Sequence, residues 1–354
     1  MNIKSLLLGS AAALAAVSGA QAADAIIAAE PEPMEYVRVC DAFGTGYFYI
    51  PGTETCLKIG GYVRFQVTAS SEDVFGDDNW DAFTRGRLEV QAKSDTELGE
   101  LTGFMAIHGD TTDGAFLTAY NGLTGEDQFY FDEVYLQLGG FKAGTYLNWW
   151  DKGINGETDV LGSNRLTSIA YIYTGEAFTA GIQLDELSSA DFVVDVDGDL
   201  VAIDVGQELG LEGIVSASLG AASFDLLGSY DFGNEDGAVR ALVSADVGPG
   251  TLQLAGIWSS GVNVYYSAAE WTIAGSYAFK ATDKFTITPG AQYFSNTEVD
   301  GDGDFFGGDG WRAGLTVDYA ITQGLAMKAT VNYNDFDEDE DEYWNGFVRL
   351  QRSF

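Results

Sequence analysis

Basic side chains are in short supply. The 354 residues carry 17 Lys and Arg against 54 Asp and Glu, a formal charge of −37. Such an excess repels nucleic acid and anionic lipid, so direct polyanion binding is implausible on electrostatic grounds. There are two cysteines, Cys40 and Cys56, and one histidine, His108. That set is too small for a structural zinc site. Beyond the first two dozen residues no stretch reaches the ~18 to 20 continuous apolar residues of a membrane-spanning helix, which excludes a helical membrane protein. Long segments of 3.6-residue period are absent too. With 45 Gly against 5 Pro, the chain does not read as an ordinary α/β enzyme. G-x-S-x-G and H-E-x-x-H are also missing, so no motif picks out a nucleophile or a catalytic metal.

What is present begins with "MNIKSLLLGSAAALAAVSGAQA", in which Lys4, an apolar stretch from Leu6 to Val17 and the small-x-small Ala20-Gln21-Ala22 have the form of a secretory signal. Three parts are therefore expected: a signal peptide over 1–22, an N-terminal segment over 23–55 containing Cys40, either periplasmic or lumen-associated, and a β-structured body over 56–354. An exported chain meets an oxidising compartment, where a Cys40–Cys56 disulfide would stabilise by about 3 kcal/mol in the chain-entropy model. Two buried free thiols are the alternative.

From residue 57 onward the dominant period is two. Leu57, Ile59, Val63, Phe65 and Val67 share one face; Lys58, Tyr62, Arg64, Gln66 and Thr68 share the other. The same alternation sets Leu88, Val90 and Ala92 against Arg85, Arg87, Glu89 and Gln91, and Leu325, Met327, Val331 and Tyr333 against Lys328, Thr330, Asn332 and Asn334. About sixteen such strands are expected, starting near residues 57, 81, 99, 128, 142, 166, 177, 212, 223, 238, 250, 270, 284, 310, 325 and 342. Short turns such as "GGFK", "VGPG" and "ITQG" alternate with links that are mostly long. This layout predicts an all-β fold, a transmembrane antiparallel β-barrel with short periplasmic turns, long extracellular loops, an apolar outer band and a polar lumen. The final strand, ending at Phe354, is then expected to close the cylinder against the first, because an open edge in lipid would leave backbone groups unsatisfied.

Charge follows the same division. The segments 71–81, 110–127, 185–208, 297–309 and 335–342 hold 29 of the 54 acids and no Lys or Arg. They read as solvated outer loops, or as places where divalent cations bridge to lipopolysaccharide or gather at the mouth. Asp300, Asp302 and Asp304 resemble the start of an EF-hand loop, but Phe305 stands where glycine is required. No cofactor is expected beyond weakly bound Ca²⁺ or Mg²⁺ at these loops. Gly308, Gly310 and Ala313 match G-x-G-x-x-A but run from loop into strand, which gives no phosphate cradle.

"VRVCDAFGTGYFYIPGTETCLKIGGYVRF" over 37–65, "NRLTSIAYIYTGEAFTA" over 164–180 and the end "FVRLQRSF" resemble the general porins of alphaproteobacteria, the rhizobial type. The resemblance implies a sixteen-stranded trimeric channel in the outer membrane, with its third long loop folded inward, passing small hydrophilic solutes and ions passively. The terminal Phe354 resembles the signal by which the barrel assembly machinery takes up such chains. The long acidic insertions "DVDGDL" and "DGDGDFFGGDG" depart from the family pattern.

On that basis the third long link, "DKGINGETDVLGSNR", is the expected infolded loop, and Asp151, Glu157 and Asp159 are its constriction acids. Arg64, Arg85, Arg87, Lys328 and Arg349 are the expected bases on the facing wall, so that the pore carries a transverse field. Each arginine could instead pin structure through a bidentate carboxylate pair. Two other classes stay open at this point: a barrel enzyme of phospholipase type using His108 with a serine nucleophile, and a secreted acidic adhesin.

Overall fold

The computed structural model describes residues 38–72, 79–111, 128–187, 192–196, 199–203, 208–301, 303–337 and 342–354, with 192–203 as backbone only. The expected signal peptide and most of the acidic loops, with Asp302, lie outside the described residues.

Sixteen antiparallel strands form the wall: β1 (Cys56–Ser70), β2 (Trp80–Thr96), β3 (Gly99–Thr111), β4 (Gln128–Leu138), β5 (Phe141–Leu147), β6 (Arg165–Thr174), β7 (Phe178–Glu186), β8 (Leu209–Leu219), β9 (Ala222–Asp231), β10 (Asp236–Val247), β11 (Gly250–Ser259), β12 (Trp271–Thr282), β13 (Phe285–Ser295), β14 (Asp309–Thr322), β15 (Leu325–Phe336) and β16 (Tyr343–Ser353). Every expected start falls within three residues of an observed one, the largest offset being at β8.

Consecutive strands pair along the wall, and β16 pairs with β1 from Tyr62↔Ser353 to Ser70↔Asn345. Past that ladder, Gly61 N donates to Phe354 O at 3.2 Å and Phe354 N to Gly61 O at 3.0 Å. The barrel closes at the last residue, as the alternation of the terminal segment requires. Ile59, Val63, Phe65, Val348 and Leu350 are exposed on the outside, where an apolar band belongs in lipid.

Alternation fails in one instructive place. Phe129 and Phe131 face outward, and so do Val134 and Leu136. The phase slips because the register between β3 and β4 shifts at Ala106/Ile107, a bulge that turns both Asp132 and Glu133 inward. The expectation of a polar lumen also needs correcting from β6 to β11. Leu166, Leu227, Leu242 and Ile257 point inward and are buried, since chain folded into the barrel covers them.

Residues 39–55 belong to the same compact unit as the barrel. Cys40 and Cys56 are disulfide-bonded and buried. Phe48↔Leu57 and Tyr49↔Cys56 add a short strand beside β1, and Tyr47 hydrogen-bonds Gln91 on β2. Among the described residues, 39–55 are thus tied to β1 and β2.

Candidate functional site: the infolded loop and the facing wall

Residues 148–164, between β5 and β6, turn into the barrel. Asn148 starts the turn: its Oδ1 accepts from Trp150 N at 3.2 Å, capping a single 3-10 turn over Trp149–Asp151. That turn seats Trp150, fully buried, among Leu161, Leu166, Leu227, Leu242 and Ile257.

From there the loop follows the inner wall, gaining a polar anchor at most strands it passes. Lys152 Nζ lies 2.6 Å from Asp225 Oδ2 on β9. Asn155 N donates to Gln253 Oε1 on β11 at 2.6 Å. Val160 and Gln292 on β13 exchange two hydrogen bonds at 2.6 and 2.8 Å. Glu157 N donates to Thr316 Oγ1 on β14 at 2.9 Å, and Asn332 Nδ2 on β15 donates to Glu157 O at 3.0 Å. Close approach at the tip depends on glycine: a Cβ at Gly314 would lie 1.9 Å from Asn332 Oδ1 and 2.5 Å from Thr158 Oγ1.

The three loop acids have different surroundings. Glu157 reaches Lys328 Nζ at 2.6 Å. Asp151 accepts from Ser163 Oγ at 2.6 Å, within the loop's own base. Asp159 Oδ2 accepts from Ile154 N at 3.3 Å, and burial pushes its carboxyl up to about 6.

The facing wall carries its bases in register. Lys328 sits opposite Arg349, and Arg64 opposite Arg85. Arg87 forms a row with Tyr62, His108 and Tyr130. Two of these arginines are neutralised on the wall itself. Arg85 makes a bidentate pair with Asp110, at 2.6 and 2.8 Å. Arg87 pairs with Glu89 at 2.6 Å, with Glu133 at 3.1 Å and with Asp132, which also binds Arg165 at 2.8 Å. Arg64 and Arg349 differ. Their Nε groups donate to Gln351 and Gln66 at 2.9 and 2.7 Å, their planes lie over Tyr62 and Phe347, and among the described residues neither has a carboxylate within ion-pair distance.

Asp110 and Asp185 are lumen-facing wall residues, both buried. This corrects their grouping with the outer-loop acids. It is strand geometry that places them, since each ends an alternating segment on its polar face. Sequence reading also missed Asp132, Glu133, Arg165 and the buried Arg240. The phase slip after Phe131 was the available signal for the first two. The stretch 260–270 was missed as well: it tucks inward, burying Val262, Val264, Tyr265, Tyr266 and Ala269. Its signal was apolar composition, "GVNVYYSAA", in a link otherwise expected to be solvated.

His108 Nε2 lies 3.0 Å from Arg87 Nη1 and 3.6 Å from Asp132 Oδ2, and Nδ1 lies 3.2 Å from Tyr130 OH, so among the described residues the ring faces a cation, a carboxylate and a phenol rather than a serine.

The model of the family described as "Porin subfamily" matches residues 24–349. A putative outer membrane protein, y4fJ of Sinorhizobium fredii, is 52% identical over 365 residues, covering 100% of this chain and 99% of its own length. Outer membrane protein IIIA of Rhizobium leguminosarum bv. viciae is 47% identical, covering 100% and 95%, and porin Omp2a of Brucella suis is 36% identical, covering 100% of both. Among solved structures, the outer membrane channel DcaP of Acinetobacter baumannii superposes with a TM-score of 0.62 at 13% identity, over 86% of this chain and 99% of that one. OmpT of Vibrio cholerae, in a trimer form, superposes with a TM-score of 0.59 at 11% identity, over 85% and 100%. A closed barrel with a loop folded across its inside, matched by family and relatives over nearly its whole length, places this chain in the porin subfamily, as a channel of the outer membrane.

Proposed function

We propose that solutes cross on the side of the lumen bounded by the tip of loop 148–164 and the wall from β15 through β1 to β4. The observation that carries this is the route of the loop. Its anchors run along β9, β11, β13, β14 and β15, so it fills the barrel on that side. Among the described residues no such anchor reaches β16, β1, β2 or β3.

At the tip Glu157 touches Lys328 directly; with Asp151 and Asp159 it supplies the acids of the loop side, and Arg349, Arg64, Arg85 and Arg87 supply the bases of the wall beyond. The pairing on the wall sharpens that assignment. Arg85 and Arg87 serve as local neutralised pairs, leaving Arg64 and Arg349 as the positive pole, with Glu157, partly offset by Lys328, within electrostatic reach of both. Charges so arranged orient dipolar solutes and disfavour apolar ones. Small hydrophilic solutes and ions would pass by diffusion, with no enzymatic step.

The net charge of −37, concentrated in the outer loops, supports a weak to moderate cation preference that salt reduces. The same loops suit loosely held divalent cations bridging to lipopolysaccharide. Assembly as a homotrimer is proposed from likeness to the trimer form of OmpT, and uptake by the barrel assembly machinery from the terminal Phe354.

Reversal potentials under a salt gradient test the site. Neutralising Asp151, Glu157 and Asp159 together as amides should lower cation preference more than neutralising an equal number of acids within 335–342. Equal effects would move selectivity to the mouth.

A further inference from the structure

Arg240 is a large, buried, charged side chain in this barrel that makes no ion pair at contact distance among the described residues. It lies on β10, 2% exposed. Its guanidinium is held instead by three carbonyl oxygens of the infolded loop: Nη2 donates to Trp149 O at 2.7 Å, and Nη1 to Trp150 O at 2.8 Å and Leu161 O at 3.2 Å. A buried charge is costly unless fully hydrogen-bonded, and an apolar side chain here would serve the wall as well as its neighbour Leu242 does. What the guanidinium adds is geometric. One planar fork holds the first turn of the loop and its returning limb together, although Leu161 lies eleven positions after Trp150.

The other side of the same turn is covered by the segment 260–270. Trp150 stacks on Tyr266 with ring centroids 6.3 Å apart, while Arg240 lies 5.1 Å from the Trp150 ring. Tyr265 OH donates to Asp185 Oδ2 at 2.7 Å, and Asn164 Nδ2 to Val264 O at 2.7 Å. Gly162, at φ +86, lets the returning limb pass beneath Tyr265, where a Cβ would lie 2.7 Å from the Tyr265 carbonyl oxygen.

We propose that Arg240 is a positioning residue for transport: by clasping the two limbs of loop 148–164 against β10, beneath the cover of segment 260–270, it holds the passage at one fixed width. Arg240 itself touches no solute, and the inference rests on the reading of that loop as the constriction. Lysine replaces it only in part, because an ammonium presents one compact point where the guanidinium presents a flat fork reaching three acceptors.

Single-channel recording of the full mature chain in planar bilayers tests this, using wild type, Arg240→Gln, Arg240→Lys and a variant lacking Gly153–Thr158. Arg240→Gln should raise open-level current variance several-fold and lower the voltage at which the channel closes, with the mean reversal potential little changed. Arg240→Lys should give intermediate noise. Should Arg240→Gln fail to fold, Arg240→Lys decides alone. Shortening the loop should raise mean conductance. If it does, and the Arg240 variants are as quiet as wild type, the clasp proposal falls while the constriction stands. If shortening leaves conductance unchanged, the constriction reading fails and the clasp fails with it.

Discussion

Lys328 Nζ on β15 lies 2.6 Å from Glu157 Oε1 at the tip of the infolded loop, 171 residues away in sequence. Both side chains are 28% exposed, so the pair is screened and worth only about 0.2–1 kcal/mol. Its weight is in the charge it places. Lys328→Gln should raise cation preference, since Glu157 is then uncompensated, and Glu157→Gln should lower it. The double variant should return near wild type, with thermal stability almost unmoved throughout. Reversal potentials of the four proteins check the cycle.

Asp159 gives a pH dependence of definite sign. Burial raises its carboxyl from 3.8 to about 6, against the opposing amide of Ile154. Between those values the folded loop keeps a proton that the unfolded chain has lost. Stability from this group is therefore fully present below about 4 and is lost as pH rises through about 6. Its effect on permeation runs the other way: the loop gains negative charge as pH rises, so cation preference should step up between about pH 5 and 7. Asp159→Asn should abolish that step in a pH series of reversal potentials. A step that persists unchanged assigns it to other groups.

Gly314 tests how closely the tip must approach the wall. Gly314→Val would drive a side chain into those of Asn332 and Thr158. The tip should lift from β14 and β15, changing single-channel conductance while heat-modifiable migration of the barrel persists. Wild-type conductance in a folded variant would show that the tip does not bound the passage.

The Cys40–Cys56 bond closes a loop of sequence separation 16 with both cysteines buried. Replacing both by serine should cost about 3 kcal/mol, as expected for a loop of that length. A clearly lowered urea midpoint is the expected outcome, against no change if the segment is held by Tyr47 and Gln91 alone.

Strand positions were legible because a barrel wall in lipid enforces a period of two on every segment, and polar turns punctuate it. Closure through Phe354 was legible for the same reason. The loop acids were singled out through the resemblance that implies an infolded third loop, and the wall bases could be placed on the polar face by alternation. Their partners could not, because Arg85–Asp110 and Arg87–Asp132 depend on register between strands, and the pairing of Glu133 depends on a bulge. The inward-facing leucines of β6, β9 and β10 run against the alternation that marked the other strands. Only folded chain inside the lumen gives them something to pack against, and segment 260–270 supplies part of it through long-range contacts that alternation does not encode.

Conductance of the refolded wild-type protein in a planar bilayer, under a salt gradient, tests the central claim most directly. Stepwise openings are expected, with a reversal potential reporting a weak to moderate cation preference at low salt that fades as salt screens the outer acids. A folded, inserted barrel that never conducts, or one that selects anions at low salt, would contradict it.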